Sequence, residues 1–155
     1  MLVRWLARGM HELPESADWL SPAESARLAG LRFAKRRTEV RLARWTAKQA
    51  LVRALDLDDD AGTLARVEIR AAPTGAPAAF VGDERAPVAV SMSDRADWAV
   101  CVVAPVGLAV GCDHLSQPLD TPERLPLPAL LGPVAQGVFE SLARVGETWR
   151  LVLDV

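Results

Sequence analysis

Four side chains between residues 94 and 114 could do chemistry if the chain brings them together: Asp94, Cys112, Asp113 and His114. Asp94 follows Ser91-Met92-Ser93 at the end of one apolar run, and Asp113 closes another just after Gly111-Cys112. Two carboxylates on one sheet edge can hold a metal ion, or share a proton with one pKa raised by the other's charge. The plainer reading of Asp94 is a turn cap, because a short carboxylate bonds readily to nearby backbone. Cys112 and His114 stand two apart, so on a strand they share a face. With an Asp nearby they would make a thiol–imidazole pair for acyl transfer or ring closure. Side chains that run parallel on one strand seldom form a good nucleophile–base bond, so Cys112 as a core filler stays open beside it. A buried His114 would need a hydrogen-bond partner.

Three short strands are expected to position these groups. Residues 88–92, 98–104 and 108–114 are apolar and rich in Val and Ala, and the stretches 93–97 and 105–107 carry Ser, Asp, Pro and Gly. Such runs bounded by turn residues read as a meander. The short connections would set the ends bearing Asp94 and Asp113 side by side.

Upstream, 2–7 reads as a strand containing Trp5. Ser21-Pro22-Ala23-Glu24 is a capping box with proline at the first helical position, opening a helix to about Leu28 that Gly30 ends. A longer helix is predicted over 33–55. Val40, Leu42, Trp45, Leu51, Val52 and Leu55 fall mostly on one stripe, while Lys35, Arg36, Arg37, Arg41, Arg44, Lys48 and Arg53 line the other face with only Glu39 to offset them. Like charges at helical spacing repel. A face this one-signed is either a solvated surface or a seat for phosphates or an acidic protein. Residues 58–62 read as a polar loop, 66–71 as a strand, 73–77 as a turn leading to a short strand ending at Val81, and 82–85 as a turn. Five prolines between Ser116 and Pro133 predict an extended crossing segment. A helix over 134–144 and a strand over 148–155 complete the expectation.

The whole chain bounds the function. Its 155 residues make one domain's worth, half hydrophobic and a quarter charged, with a net charge of −2. Without a basic excess nucleic acid is not an expected partner. The two cysteines, Cys101 and Cys112, both lie in apolar strands and read as buried reduced thiols. The first sixteen residues are too interrupted by Arg for a signal peptide. No apolar run reaches the ~20 residues that span a bilayer. A cytoplasmic protein off the membrane is the expectation.

The layout of Ser91-Met92-Ser93-Asp94, an apolar strand and Val110-Gly111-Cys112-Asp113 resembles the Sfp-type 4'-phosphopantetheinyl transferases, whose pattern there is Ser-His, a strand and Gly-x-Asp-x-Glu. The segment 31–55 is similar to the family's N-terminal basic helix. The resemblance implies an α+β fold, an antiparallel sheet packed on a long helix. Residues 1–115 would form the transferase-like half, and 116–155 a proline-rich crossover plus a reduced, truncated second half in the same compact domain. It implies that Arg37, Arg44 and Lys48 contact the phosphates of coenzyme A, and that Mg2+ sits on Asp113 and on an acid from a later Trp-x-x-Lys-Glu-Ala-x-x-Lys helix. Glu140, with Arg144 four residues on, is the candidate for that acid.

Departures from the pattern steer the functional expectation. Leu115 replaces the second acid of Gly-x-Asp-x-Glu, Asp94 replaces the phosphate-binding His, and Ala76 stands where the family's turn carries Lys. Leu cannot ligate a hard cation. The favoured expectation is a transferase-like protein of polyketide or non-ribosomal peptide metabolism, repurposed to act on a carrier-tethered acyl thioester or its product. Asp94, Asp113, Cys112 and His114 are its candidate catalytic residues. A non-catalytic protein binding coenzyme A or a carrier protein, and an active transferase using Mg2+ and coenzyme A, are the alternatives. The expected partner is an acyl or peptidyl carrier protein, or a small molecule derived from one. The oligomeric state is open, a homodimer included.

Overall fold

The computed structural model describes residues 3–95 and 97–107, together with the strands at 111–112, 124–125, 139–145 and 148–153. The order begins with β1 (Arg4–Gly9), a 3-10 turn (Met10–Glu12), α1 (Pro22–Ala29), α2 (Ala34–Ala54) and α3 (Ala61–Arg66). It continues with β2 (Val67–Ala71), β3 (Pro77–Val81), β4 (Glu84–Arg85), β5 (Val88–Arg95) and β6 (Trp98–Pro105). Beyond these lie β7 (Gly111–Cys112), β8 (Arg124–Leu125), β9 (Phe139–Val145) and β10 (Thr148–Leu153).

The capping box forms as the sequence dictates. The Ser21 hydroxyl accepts from the Glu24 N–H, and the Glu24 carboxylate accepts from the Ser21 N–H. α3 occupies ground read from sequence as loop and strand start: Asp60 caps it by accepting from the Thr63 N–H and hydroxyl.

One antiparallel sheet runs β1-β6-β5, and a second runs β2-β3-β4. α2 lies across β6, β1, β5 and β2. Alternation along β5 and β6 puts Val88, Val90, Cys101 and Val103 into one core with Ala47, Ala50, Leu51 and Val52 of α2. The Cys101 thiol is buried there, as expected. Val67 and Ile69 of β2 and Trp19 ahead of α1 close the same core. This is the expected α+β arrangement of antiparallel sheets on a long helix.

Two expectations change. The third strand of the predicted meander does not continue the sheet of β5 and β6. Gly111–Cys112 pairs in parallel with β10, in a sheet ordered β7-β10-β9-β8, though its backbone also approaches β5 and β6. β1 takes the place beside β6, with Leu6 opposite Cys101. Second, 139–145 is a strand and not the end of a helix: Val145 pairs with Thr148 and Ala143 with Arg150. Glu140 and Arg144 are therefore no helical i, i+4 pair. Four residues along a strand separate them by ~13 Å.

Candidate functional site

The cleft beside Asp94 is built by three elements. β5 ends with Ser93, Asp94 and Arg95, and Trp98 opens β6 opposite Arg95. The N–H of Met10 donates to the Asp97 carbonyl at 2.8 Å, tying the end of β1 to this hairpin. Asp97 holds φ at +65°, a left-handed conformation that Asp tolerates better than most residues. Across from the hairpin, the first turns of α2 contribute Lys35, Glu39 and Leu42. Met10, Leu42 and the Trp98 ring give the cleft its apolar surface, and its volume is about 310 Å³. His11 meets Trp98 edge-on, with ring centroids 6.1 Å apart.

Charge in the cleft is interleaved. Strand alternation turns Asp94 to the same side as Val88 and Val90, towards α2. There Arg36 Nη1 lies 3.6 Å from Asp94 Oδ2 and 3.4 Å from Glu39 Oε2. Lys35 Nζ lies 3.9 Å from Glu39 Oε1. Asp94 therefore faces a guanidinium. Asp113 and His114, its expected neighbours, lie outside the described residues. Cys112 is placed on β7 by its backbone alone.

Part of the predicted basic face of α2 braces the interior, while Lys35, Arg36 and Arg53 stay exposed. Lys48 is 0% exposed: its ammonium donates to the carbonyls of Trp19 and Leu64 at 2.9 Å each and pairs with the Glu24 carboxylate. Its three hydrogens are thus engaged, so it does not sit on the solvent face where the sequence pattern put it. Burial lowers its pKa, against the hydrogen bond and charge of Glu24, which raise it. Arg44 donates to the Ile69 carbonyl at 2.8 Å, and burial lowers its pKa. Arg37 donates to the Leu31 carbonyl at 2.6 Å. Arg41 donates to the carbonyls of Pro14 and Ser16, pinning the segment that leads to Trp19.

Sequence reasoning sought Trp-x-x-Lys-Glu-Ala-x-x-Lys near Glu140. That spacing stands in α2, as Trp45-Thr46-Ala47-Lys48-Gln49-Ala50-Leu51-Val52-Arg53. The signal was the joint spacing of Trp, Lys, Ala and a final cation. Gln49 replaces the acid, and its amide donates to Asp59 Oδ1 at 2.6 Å.

A divalent cation does not fit the described residues. Asp94 is matched by Arg36, Gln49 offers no carboxylate, and no group of three His, Cys, Asp or Glu among the described residues is arranged to hold a metal. The diphosphate of coenzyme A is equally ill served by Asp94 and Lys48. No helix among the described residues is long and apolar enough to cross a membrane.

No family model and no curated protein sequence matches the chain. Solved structures do. The holo-acyl-carrier-protein synthase of Helicobacter pylori in complex with coenzyme A is 15% identical, with 67% of this chain and 99% of that chain covered and a TM-score of 0.51. The Chronobacterium ammoniagenes complex with coenzyme A is 23% identical, covering 66% of this chain and 96% of that chain, with a TM-score of 0.51. The Neisseria meningitidis synthase is 19% identical, at 66% and 97% coverage and a TM-score of 0.51. The α2 helix and its two antiparallel sheets thus make the fold of the holo-acyl-carrier-protein synthases, the phosphopantetheinyl-transferase fold that the strand and helix motifs predicted.

Proposed function

We propose that this chain serves carrier-protein metabolism by holding an acyl group, or a product released from one, in the Asp94 cleft, without transferring a phosphopantetheine arm. The observation that carries this reading is the Arg36–Asp94 pair. At the strand end where the resemblance implies a phosphate-binding His, this chain has a carboxylate already matched by a cation. A cleft lined by both signs of charge has no net attraction for a polyanion, while its Trp98, Met10 and Leu42 surface offers apolar burial. The likeness to structures solved with coenzyme A supports a ligand of that metabolism; the altered charges support a neutral or mixed-charge part of it.

Calorimetry with an acylated pantetheine and with coenzyme A tests this. The acylated, phosphate-free ligand binds and coenzyme A binds more weakly. Tighter binding of coenzyme A than of its phosphate-free acyl counterpart overturns the reading.

Chemistry on the bound thioester is the second reading, favoured by the approach of the Gly111–Cys112 backbone to β5 and β6. Cys112 would attack the thioester carbonyl and take the acyl group as a new thioester, its proton passing to His114 and then to the departing pantetheine thiolate. Turnover of an acylated carrier protein that survives Cys112→Ala rules this out.

A further inference from the structure

The side chains of the Asp94 cleft rank by depth. Leu42, Glu39 and Lys35 share one stripe of α2, spaced three and four residues apart. Leu42 is 1% exposed, the Glu39 side chain 30% and the Lys35 side chain 86%. Leu42 is therefore the floor of the cleft, Glu39 its middle and Lys35 its rim. On the hairpin side Asp94 stands level with Glu39, since both carboxylates reach the same Arg36 Nη1. Arg95 and Asp97 are exposed at the rim, and half-buried Met10 adds apolar surface to the wall.

The apolar depth ends where these carboxylates begin. A helix rises about 1.5 Å per residue, so roughly 4.5 Å of α2 separates Leu42 from Glu39. An extended chain advances ~1.2 Å per bond. An alkyl tip thus lies against Leu42 and Met10 for about four bonds before it meets Glu39 and Asp94. Hydrocarbon laid over an ionised group strips it of water at a cost, so further methylenes gain nothing there. The volume agrees: about 310 Å³ is the lower end of small-molecule sites, which run from roughly 300 to 1,000 Å³.

We propose that the Asp94 cleft selects short acyl groups, of about four carbons, tip first against Leu42, over longer fatty chains. This inference rests on the cleft being the ligand site of the proposed function, and it names the acyl class. Glu39 determines the length, because it ends the apolar wall one turn above the floor. The Trp98 ring, 40% exposed at the rim, lies beside the thioester and the pantetheine arm, where an apolar face with a polar edge suits both.

The test is calorimetric titration of the full chain with acetyl, butyryl, hexanoyl and octanoyl pantetheine. Each methylene that enters the apolar floor strengthens binding about fourfold, so butyryl binds roughly fifteenfold tighter than acetyl. Hexanoyl and octanoyl stay within about twofold of butyryl, because their added methylenes lie beyond Glu39. Glu39→Leu continues the apolar wall up α2, and octanoyl then exceeds butyryl by roughly tenfold while circular dichroism and the melting temperature hold. Affinity that climbs steadily to octanoyl in the unaltered chain, equal binding of acetyl and butyryl, or an unchanged length preference in folded Glu39→Leu overturns this inference and leaves the proposed function standing. No binding of any acyl pantetheine removes both together.

Discussion

Arg36 of α2 and Asp94 of β5 meet with Nη1 3.6 Å from Oδ2, the side chains 54% and 30% exposed. The contact follows from two periodicities. Strand alternation sends Asp94 towards the helix, and the start of α2 presents a cation there. The pair sits where the resemblance implies a phosphate contact, so the protein's own carboxylate matches the cation that would welcome coenzyme A.

Asp94→His should therefore raise the affinity for coenzyme A. A carboxylate ~4 Å from a phosphate opposes it by about 1 kcal/mol at water-like screening, or roughly fivefold in affinity. Calorimetry of wild type against the variant reads this directly; unchanged affinity would mean that the nucleotide does not approach Asp94.

Lys48 is predicted to be structural. Lys48→Met leaves Glu24 buried opposite a methyl group and orphans the Trp19 and Leu64 carbonyls, a loss of about 3–5 kcal/mol. Adding Glu24→Gln should return part of that loss, since the uncompensated charge is gone. Urea unfolding of the two variants checks both figures. A near-neutral Lys48→Met would show that the buried network holds nothing together.

Gln49→Glu should destabilise at neutral pH by about 1–3 kcal/mol, because a donor amide 2.6 Å from Asp59 Oδ1 becomes a second carboxylate. Equal unfolding midpoints at pH 7 would contradict the hydrogen bond.

Glu68 predicts an acid limb. Burial pushes its pKa up, but hydrogen bonds from Arg70 and Ser21 and the charges of Arg70 and Lys48 outweigh that, holding it below the ordinary 4.5. A depressed carboxylate contributes stability that is fully present above its unfolded value and lost as pH falls through the folded one. The difference in urea midpoint between wild type and Glu68→Gln should be steady from pH 7 to about 5 and shrink below pH 4.5. A difference that grows on acidification contradicts the assignment.

Much of the scaffold was legible because it rests on local signals. The Ser21–Glu24 box and the apolar stripe of Leu42, Leu51 and Val52 announced α1 and α2, and β-branched runs announced β5 and β6. Lys48 misled because periodicity counts a cation as outward-facing. Only the distant carbonyls of Trp19 and Leu64, brought together by the fold, explain its burial. Residues 139–145 misled because Val138, Leu142 and Val145 fit a helical spacing, while the pairing that makes the segment a strand comes from β10 and β8. The Asp94–Asp113 pairing was inferred from a meander; the partner that β5 reveals is Arg36, from a helix more than fifty residues upstream.

The most direct measurement of the central claim is the intact mass of an apo carrier protein after incubation with this chain, coenzyme A and Mg2+, alongside a competent transferase as control. The account predicts that the carrier keeps its apo mass while the control converts it. A gain of one phosphopantetheine arm under this chain would contradict it.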